Sequence, residues 1–293
     1  MQLVRSTGGV DVALHDLGGD GPPLLLTHAT GFCGPVWRPV ARHLADRYHA
    51  YAPDLRAHGE SVTPEGLDLH WDGFADDVLA VVDHLREHQG VDGPLAAAGH
   101  SKGGAALLLA EQRRPGTFSE LYCFEPVVFP PMPELAGAAG DDAGASGSGG
   151  GNHLAEGALR RRSSFASFGE AYDNFASKPP LNVLRADALE AYVQGGFRRE
   201  DDGSVTLRCR PADESQVYRM GANHDAFAHL TEVTIPVTIA TGRADPFGPA
   251  AMAPAIAERL PHGRLVVFED LGHFGPLEDP DRIADSMAAA FAR

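Results

Sequence analysis

Leu95-Ala96-Ala97-Ala98-Gly99-His100-Ser101-Lys102-Gly103-Gly104-Ala105-Ala106-Leu107-Leu108-Leu109 decides how the chain reads. A short apolar run is followed by a glycine-rich tip and then by strong helix formers, so the stretch predicts strand, sharp turn, helix, with Ser101 at the tip. A serine on so tight a turn occupies a strained backbone region. Its neighbours two residues away on each side crowd each other, which Gly99 and Gly103 allow, and Gly104 lets the helix approach closely. The Lys102 backbone N–H, at the helix start, then faces whatever the serine attacks. A bare Gly-x-Ser-x-Gly also occurs by chance around an ordinary capping serine, so the remaining residues have to decide.

Composition narrows the field. The chain has 293 residues, 43% hydrophobic and 22% charged, enough for one large domain or one domain plus an insertion. The net charge of −16 argues against a nucleic-acid partner and against an anionic membrane surface. The first residues show no basic n-region followed by a long apolar run, and nowhere does an uninterrupted apolar stretch reach the length of a membrane span. Three scattered cysteines, Cys33, Cys123 and Cys209, form neither a disulfide framework nor a metal motif, so a cytoplasmic location is expected.

Strand and helix patterns alternate outward from Ser101. Val10–His15, 23–27 and 48–53 read as strands, the helical faces of 36–47 and 72–89 follow, and 119–124 is a strand closed by Glu125-Pro126. The alternation then stops. Residues 137–152 are rich in Gly, Ala, Ser and Asp and are expected to be mobile, and 153–230 read as mainly helical. Within them Arg160-Arg161-Arg162 reads as a solvated helix face, with an anionic substrate as the alternative. The alternation resumes with strand 236–240, helix 249–260, strand 264–268 and a last helix carrying Ile283, Met287 and Phe291. Such alternation predicts a mostly parallel sheet covered on both faces, with ligands at the C-terminal strand ends.

The candidate chemistry collects at those ends. Serine needs a base and the base needs an orienter. His273, between Gly272 and Phe274, is the base candidate. Asp245 is the preferred orienter, two strands downstream of Ser101, and Glu125 at the end of the strand after the serine helix competes for that role. An oxyanion needs two donors, for which the Lys102 and Thr30 backbone N–H groups stand ready. His84 and His88 lie four apart on a helix without a third ligand, so no metal site is expected. Phe32, Trp37 and Phe129 suggest an apolar substrate pocket.

Taken together, His28-Ala29-Thr30-Gly31-Phe32, Asp54-Leu55-Arg56-Ala57-His58-Gly59-Glu60-Ser61, Gly99-His100-Ser101-Lys102-Gly103-Gly104, Gly242-Arg243-Ala244-Asp245 and Gly272-His273-Phe274 occur in an order that resembles the α/β-hydrolase fold superfamily. The resemblance implies an α/β fold: an eight-stranded, mostly parallel sheet flanked by helices, with a helical cap inserted after the sixth strand. The core would be residues 1–128 and 232–293 and the cap 129–231. It also implies a triad of Ser101, His273 and Asp245. Three positions depart from the usual pattern: His28-Ala29 in place of His-Gly, Lys102 after the serine, and Glu125 as a second acid. The reaction expected is cleavage of an ester, lactone or thioester of a small, largely apolar substrate through an acyl-enzyme, without metal or cofactor. The same site could run a non-hydrolytic reaction, and a ligand receptor with a vestigial site is a further alternative. Substrate identity and oligomeric state are not encoded in any motif.

Overall fold

A computed structural model describes residues 1–130, 152–221, 223–245 and 248–292. Six strands come first: β1 (Gln2–Arg5), β2 (Asp11–Gly18), β3 (Pro23–Thr27), β4 (His49–Asp54), β5 (Leu95–His100) and β6 (Phe118–Phe124). Helices α1 (Arg38–His43), α2 (Trp71–His88) and α3 (Lys102–Arg113) connect them. The region expected to be mainly helical holds α4 (His153–Leu159), α5 (Phe168–Ala176), α6 (Ala186–Gly196) and α7 (Pro211–Met220). It also holds a small sheet of β7 (Ser164–Phe165), β8 (Phe197–Arg199) and β9 (Val205–Leu207), whose two- and three-residue strands are too short to show an alternating pattern. The chain closes with β10 (Val237–Thr241), α8 (Ala253–Arg259), β11 (Gly263–Val267), α9 (Gly275–Glu278) and α10 (Pro280–Phe291). The Gly/Ala/Ser-rich segment lies, up to residue 151, outside the described residues.

Among the described residues the main sheet has eight strands in the order β1-β2-β4-β3-β5-β6-β10-β11. The β1–β2 and β2–β4 pairs are antiparallel and the others parallel. Strand periodicity sorts the core into two layers. Leu25, Ala97, Leu121 and Ile239 face a cluster that includes Phe74, Val78 and Leu85 of α2, Ala105 and Leu108 of α3 and Ile256 of α8. Leu24, Leu26, Ala98, Tyr122 and Ala240 face a second cluster with Val40 of α1 and Ile283, Met287 and Phe291 of α10. The single helix expected over 36–47 is instead a 3-10 turn at Gly34–Trp37 followed by α1, because Pro39 lacks the N–H that a continuous helix would use there.

The inserted elements rest on the second layer: Phe165, Tyr192, Phe197 and Leu207 belong to the same apolar cluster as Leu24 and Met287. Helix α6 packs on the Gly34–Trp37 turn, and α4 on α7. Among the described residues no helix is long and apolar enough to cross a membrane.

Candidate active site

Ser101 stands between β5 and α3 at φ 53° and ψ −117°, a backbone conformation that few residues other than glycine adopt. The crowding expected around it is present. A Cβ on Gly99 would lie 2.6 Å from the Gly104 nitrogen, and one on Gly103 would run into the Thr27 carbonyl. The turn is pinned by the Ser101 N–H donating to the Phe124 carbonyl at 2.9 Å and by its carbonyl accepting from Ala105 at 3.1 Å. As the first residue of α3, Lys102 presents an N–H with no intrahelical acceptor. Thr30 sits in the turn after β3. His28 shapes that turn: its Nδ1–H donates to the Ala29 carbonyl at 2.7 Å and its Nε2 accepts from the Leu55 N–H at 3.0 Å. Burial holds its pKa well below the ordinary histidine value, with the nearby Lys102 charge adding to the effect, so the ring is neutral.

His273 reaches the sheet from the loop after β11. Its Nδ1 lies 2.5 Å from Glu125 Oε2. A carboxylate can only accept, so Nδ1 carries the proton and Nε2 is left basic. Glu125, the last residue before Pro126, is buried and takes a positive φ of 44°. Its other oxygen, Oε1, accepts from the Gly242 N–H at 2.9 Å and from the Thr241 hydroxyl at 3.1 Å. Burial works against ionisation of Glu125. The bonds from His273, Gly242 and Thr241 outweigh it and hold the carboxyl below its usual range. Asp245, the preferred orienter from the sequence, is not the residue at His273 Nδ1. It is exposed on the loop after β10, where a Cβ on Gly248 would lie 2.9 Å from its Oδ2. The candidate acid therefore moves from Asp245 to Glu125, because Glu125 ends the strand between those of Ser101 and Asp245 and its longer side chain spans the gap to the histidine loop.

Sequence reasoning missed what His100 does. Its Nε2–H donates to the His273 carbonyl at 2.7 Å, and the two rings lie 4.9 Å apart. Glu278 holds the same loop by accepting from the Gly272 N–H at 3.0 Å.

The three residues expected to line an apolar pocket lie in different surroundings. Phe32 packs 5.8 Å from Phe274 and 5.1 Å from Tyr192, so it belongs to an aromatic wall beside the histidine. Trp37 is packed within the second apolar layer, its indole N–H unpartnered among the described residues, and Phe129 is half-buried at the edge of them. Trp37 thus serves the core, since the proline-bounded 3-10 turn points it inward. The remaining surroundings are polar. Lys102 is fully buried, its Nζ 3.3 Å from His58 Nδ1 and 4.7 Å from the Phe74 ring. Desolvation lowers its pKa to about 7. His58 donates from Nδ1 to the Arg56 carbonyl at 2.8 Å and is likewise kept neutral by burial. The arginine triplet splits: the side chains of Arg160 and Arg162 are 71% and 54% exposed, but that of Arg161 only 18%. Arg161 pairs with Glu214 at 2.8 Å, contrary to the solvated face expected of it. The reason is tertiary: α4 packs on α7, and the turn that ends α4 sends this one side chain inward. His84 and His88 stack on each other at 4.4 Å, and among the described residues no cluster of metal-ligand type is found.

A family model described as "Alpha/beta hydrolase family" matches residues 24–286. A curated (E)-2-((N-methylformamido)methylene)succinate hydrolase from Acinetobacter baylyi (strain ATCC 33305 / BD413 / ADP1) is 21% identical over 276 residues, covering 92% of this chain and 90% of that protein. A pimeloyl-[acyl-carrier protein] methyl ester esterase from Aliivibrio salmonicida (strain LFI1238) is 25% identical over 262 residues, covering 87% of this chain and 86% of the relative. Among solved structures, an E-2-(acetamidomethylene)succinate hydrolase superposes with a TM-score of 0.79 at 21% identity, over 100% of this chain and 98% of the other.

Proposed function

Because the chain belongs to the alpha/beta hydrolase family, whose eight-stranded fold it has, we propose that it is a serine hydrolase cleaving an ester, lactone or thioester of a small molecule. The observation that carries this reading is the strained Ser101 on the β5–α3 turn, at the same sheet edge as a histidine bonded to a buried carboxylate at 2.5 Å. Ser101 Oγ attacks the acyl carbon while His273 Nε2 takes the hydroxyl proton, and Glu125 holds the ring and stabilises the imidazolium. The Thr30 and Lys102 N–H groups receive the oxyanion. His273 then protonates the leaving group, and in the second half-reaction it activates a water that releases the acyl group and restores Ser101. Residues 129–231 act as a cap over a core formed by 1–128 and 232–293. Three free, buried cysteines suit a cytoplasmic setting.

The test is turnover of a panel of short aryl esters, lactones and thioesters. Ser101→Ala is expected to lose on the order of a million-fold in kcat. Glu125→Gln, which removes the charge facing the histidine, is expected to lose about ten-thousand-fold. Asp245→Asn should stay within a few-fold of the parent. Wild-type turnover by Ser101→Ala would overturn the mechanism, and loss of activity in Asp245→Asn alone would return the acid to that position.

A further inference from the structure

Two cations are buried where the inserted elements meet the core, and only one of them has a carboxylate. Arg161 gives both hydrogen bonds to Glu214 from a single nitrogen, Nη1, at 3.0 and 2.8 Å, while Nη2 meets the Tyr192 hydroxyl. The Nε–Nη2 edge, the one a carboxylate engages side-on with two bonds, is therefore not taken up by Glu214, and Nε has no acceptor among the described residues. The Arg161–Glu214 pair lies on the oxyanion turn itself. A Cβ on Gly31, next to Thr30, would stand 2.6 Å from Glu214 Oε1 and 3.3 Å from Arg161 Nη1. The second cation is Lys102, the residue after the candidate nucleophile. Its polar contacts are to the neutral His58, at 3.3 and 3.5 Å, and no carboxylate among the described residues forms an ion pair with it. Asp77 and Asp54, whose charges act on Lys102 without an ion pair to it, are bonded to Arg56 at 2.8 Å and to His15 at 2.8 Å. Both cations act on the same two buried neighbours, His58 and Cys209, so they share one neighbourhood. The aromatic wall Phe274–Phe32–Tyr192 joins that neighbourhood to His273. A buried ammonium without an ion-pair partner is costly, which is why the Lys102 pKa falls to about 7, and an anion bound nearby would favour its protonated form.

We infer that the substrate carries a free carboxylate, held beside Thr30 and Gly31 by the Nε side of Arg161 and favoured by protonation of Lys102. This rests on the hydrolase reading for where the substrate sits, but not for the anion site, which can be measured without turnover. The carboxylate lies against Arg161, whose side chain retains some exposure. Lys102 does not touch it; its charge acts from a fully buried position, where screening is weaker than in water. Phe32 and Tyr192 flank the hydrocarbon between the carboxylate and the acyl carbon.

Matched substrates read the inference directly: an aryl hemisuccinate against the aryl butyrate, and 4-carboxyphenyl acetate against phenyl acetate. The wild type should prefer the charged member of at least one pair by about tenfold to a hundredfold in kcat/KM, as expected for one desolvated charge-assisted contact. Lys102→Met should shrink that ratio, and so should Arg161→Met combined with Glu214→Gln, a double change that leaves no buried charge orphaned. A purely structural role for these residues would lower both members of a pair together and leave the ratio where it was. Absence of preference in both pairs, or a ratio unmoved by both variants, overturns the inference. If no ester is turned over, the hydrolase reading falls and glutarate decides the anion site by calorimetry on the wild-type protein. Binding accompanied by proton uptake at pH 8, lost in Lys102→Met, supports the site, and no heat of binding overturns it.

Discussion

Lys102 shows how one residue can carry two opposed demands. Its backbone N–H is wanted at the head of α3, while its side chain is driven into the interior with a histidine and an aromatic ring for company. The energetic consequence has a definite sign. In the unfolded chain this lysine titrates near 10.5, and in the folded protein near 7. Between those values the unfolded state holds a proton that the folded state lacks, so this group makes the fold more stable as pH rises through the window. Below about pH 7 the folded protein bears the full cost of burying the ammonium, on the order of 4–5 kcal/mol from the size of the displacement. Lys102→Met should therefore be the more stable protein at pH 6, with the gap to wild type narrowing by pH 9. Urea unfolding at the two pH values measures this, and an equal gap at both would mean that the lysine is not charged where it sits. Glu125 has the opposite sense: its carboxyl is held below the usual range, so its contribution is present above roughly pH 4.5 and is lost as the solution becomes more acidic.

At the scale of elements, the site is a matter of how two loops are held against β5. The end of β5 supplies His100, next to Ser101, and the His100 ring donates to the His273 carbonyl at 2.7 Å. On the proposed mechanism His100 is a positioning residue, coupling the strand that leads into Ser101 to the loop that carries His273. His100→Ala should lower kcat by about tenfold or more with little change in KM, since the reacting atoms lose alignment but the substrate contacts remain. His100→Gln, which keeps a donor of similar reach, should recover most of the loss; failure of that rescue would reduce His100 to core filling. The elements themselves were legible in the sequence wherever one face or a whole strand is buried, as in 23–27, 95–113 and, one residue out of step with β10, 236–240, because burial writes a contiguous or periodic apolar pattern. The choice between Glu125 and Asp245 was not legible. Both end parallel strands one position apart in the sheet, and only the three-dimensional reach of each carboxylate to His273 separates them. The inward turn of Arg161 was equally hidden, because Arg160, Arg161 and Arg162 are identical in type and differ only in the way the end of α4 faces α7. Strands β7, β8 and β9 are too short to leave a period; β7 and β8 each pair with β9, and their Phe165 and Phe197 rings pack at 5.7 Å.

At the scale of the whole molecule, the inserted elements and the sheet are joined by one apolar body rather than by a hinge. Leu24, Tyr122 and Ala240 of the sheet, Met287 and Phe291 of α10, and Phe165, Tyr192 and Phe197 of the insertion belong to one contiguous buried cluster. A segment that shares its core with the main domain cannot unfold by itself without exposing part of that domain's own layer, so the two should melt as one cooperative unit. Calorimetry should show a single transition. Phe197→Ala tests the coupling from the far side of the cluster, because Phe197 is buried against Phe165, Phe175 and Tyr192 and touches none of the reacting groups proposed above. Removing so large a buried ring should cost about 3–5 kcal/mol and lower the one transition without dividing it. Two resolved transitions in the variant, with the upper one at the wild-type temperature, would instead mark the insertion as an independent domain resting on a finished core. A cap melting that way would leave Arg161 free to depart from the oxyanion turn, and carboxylate selectivity would then disappear at the lower transition while hydrolysis of neutral esters persisted to the upper one.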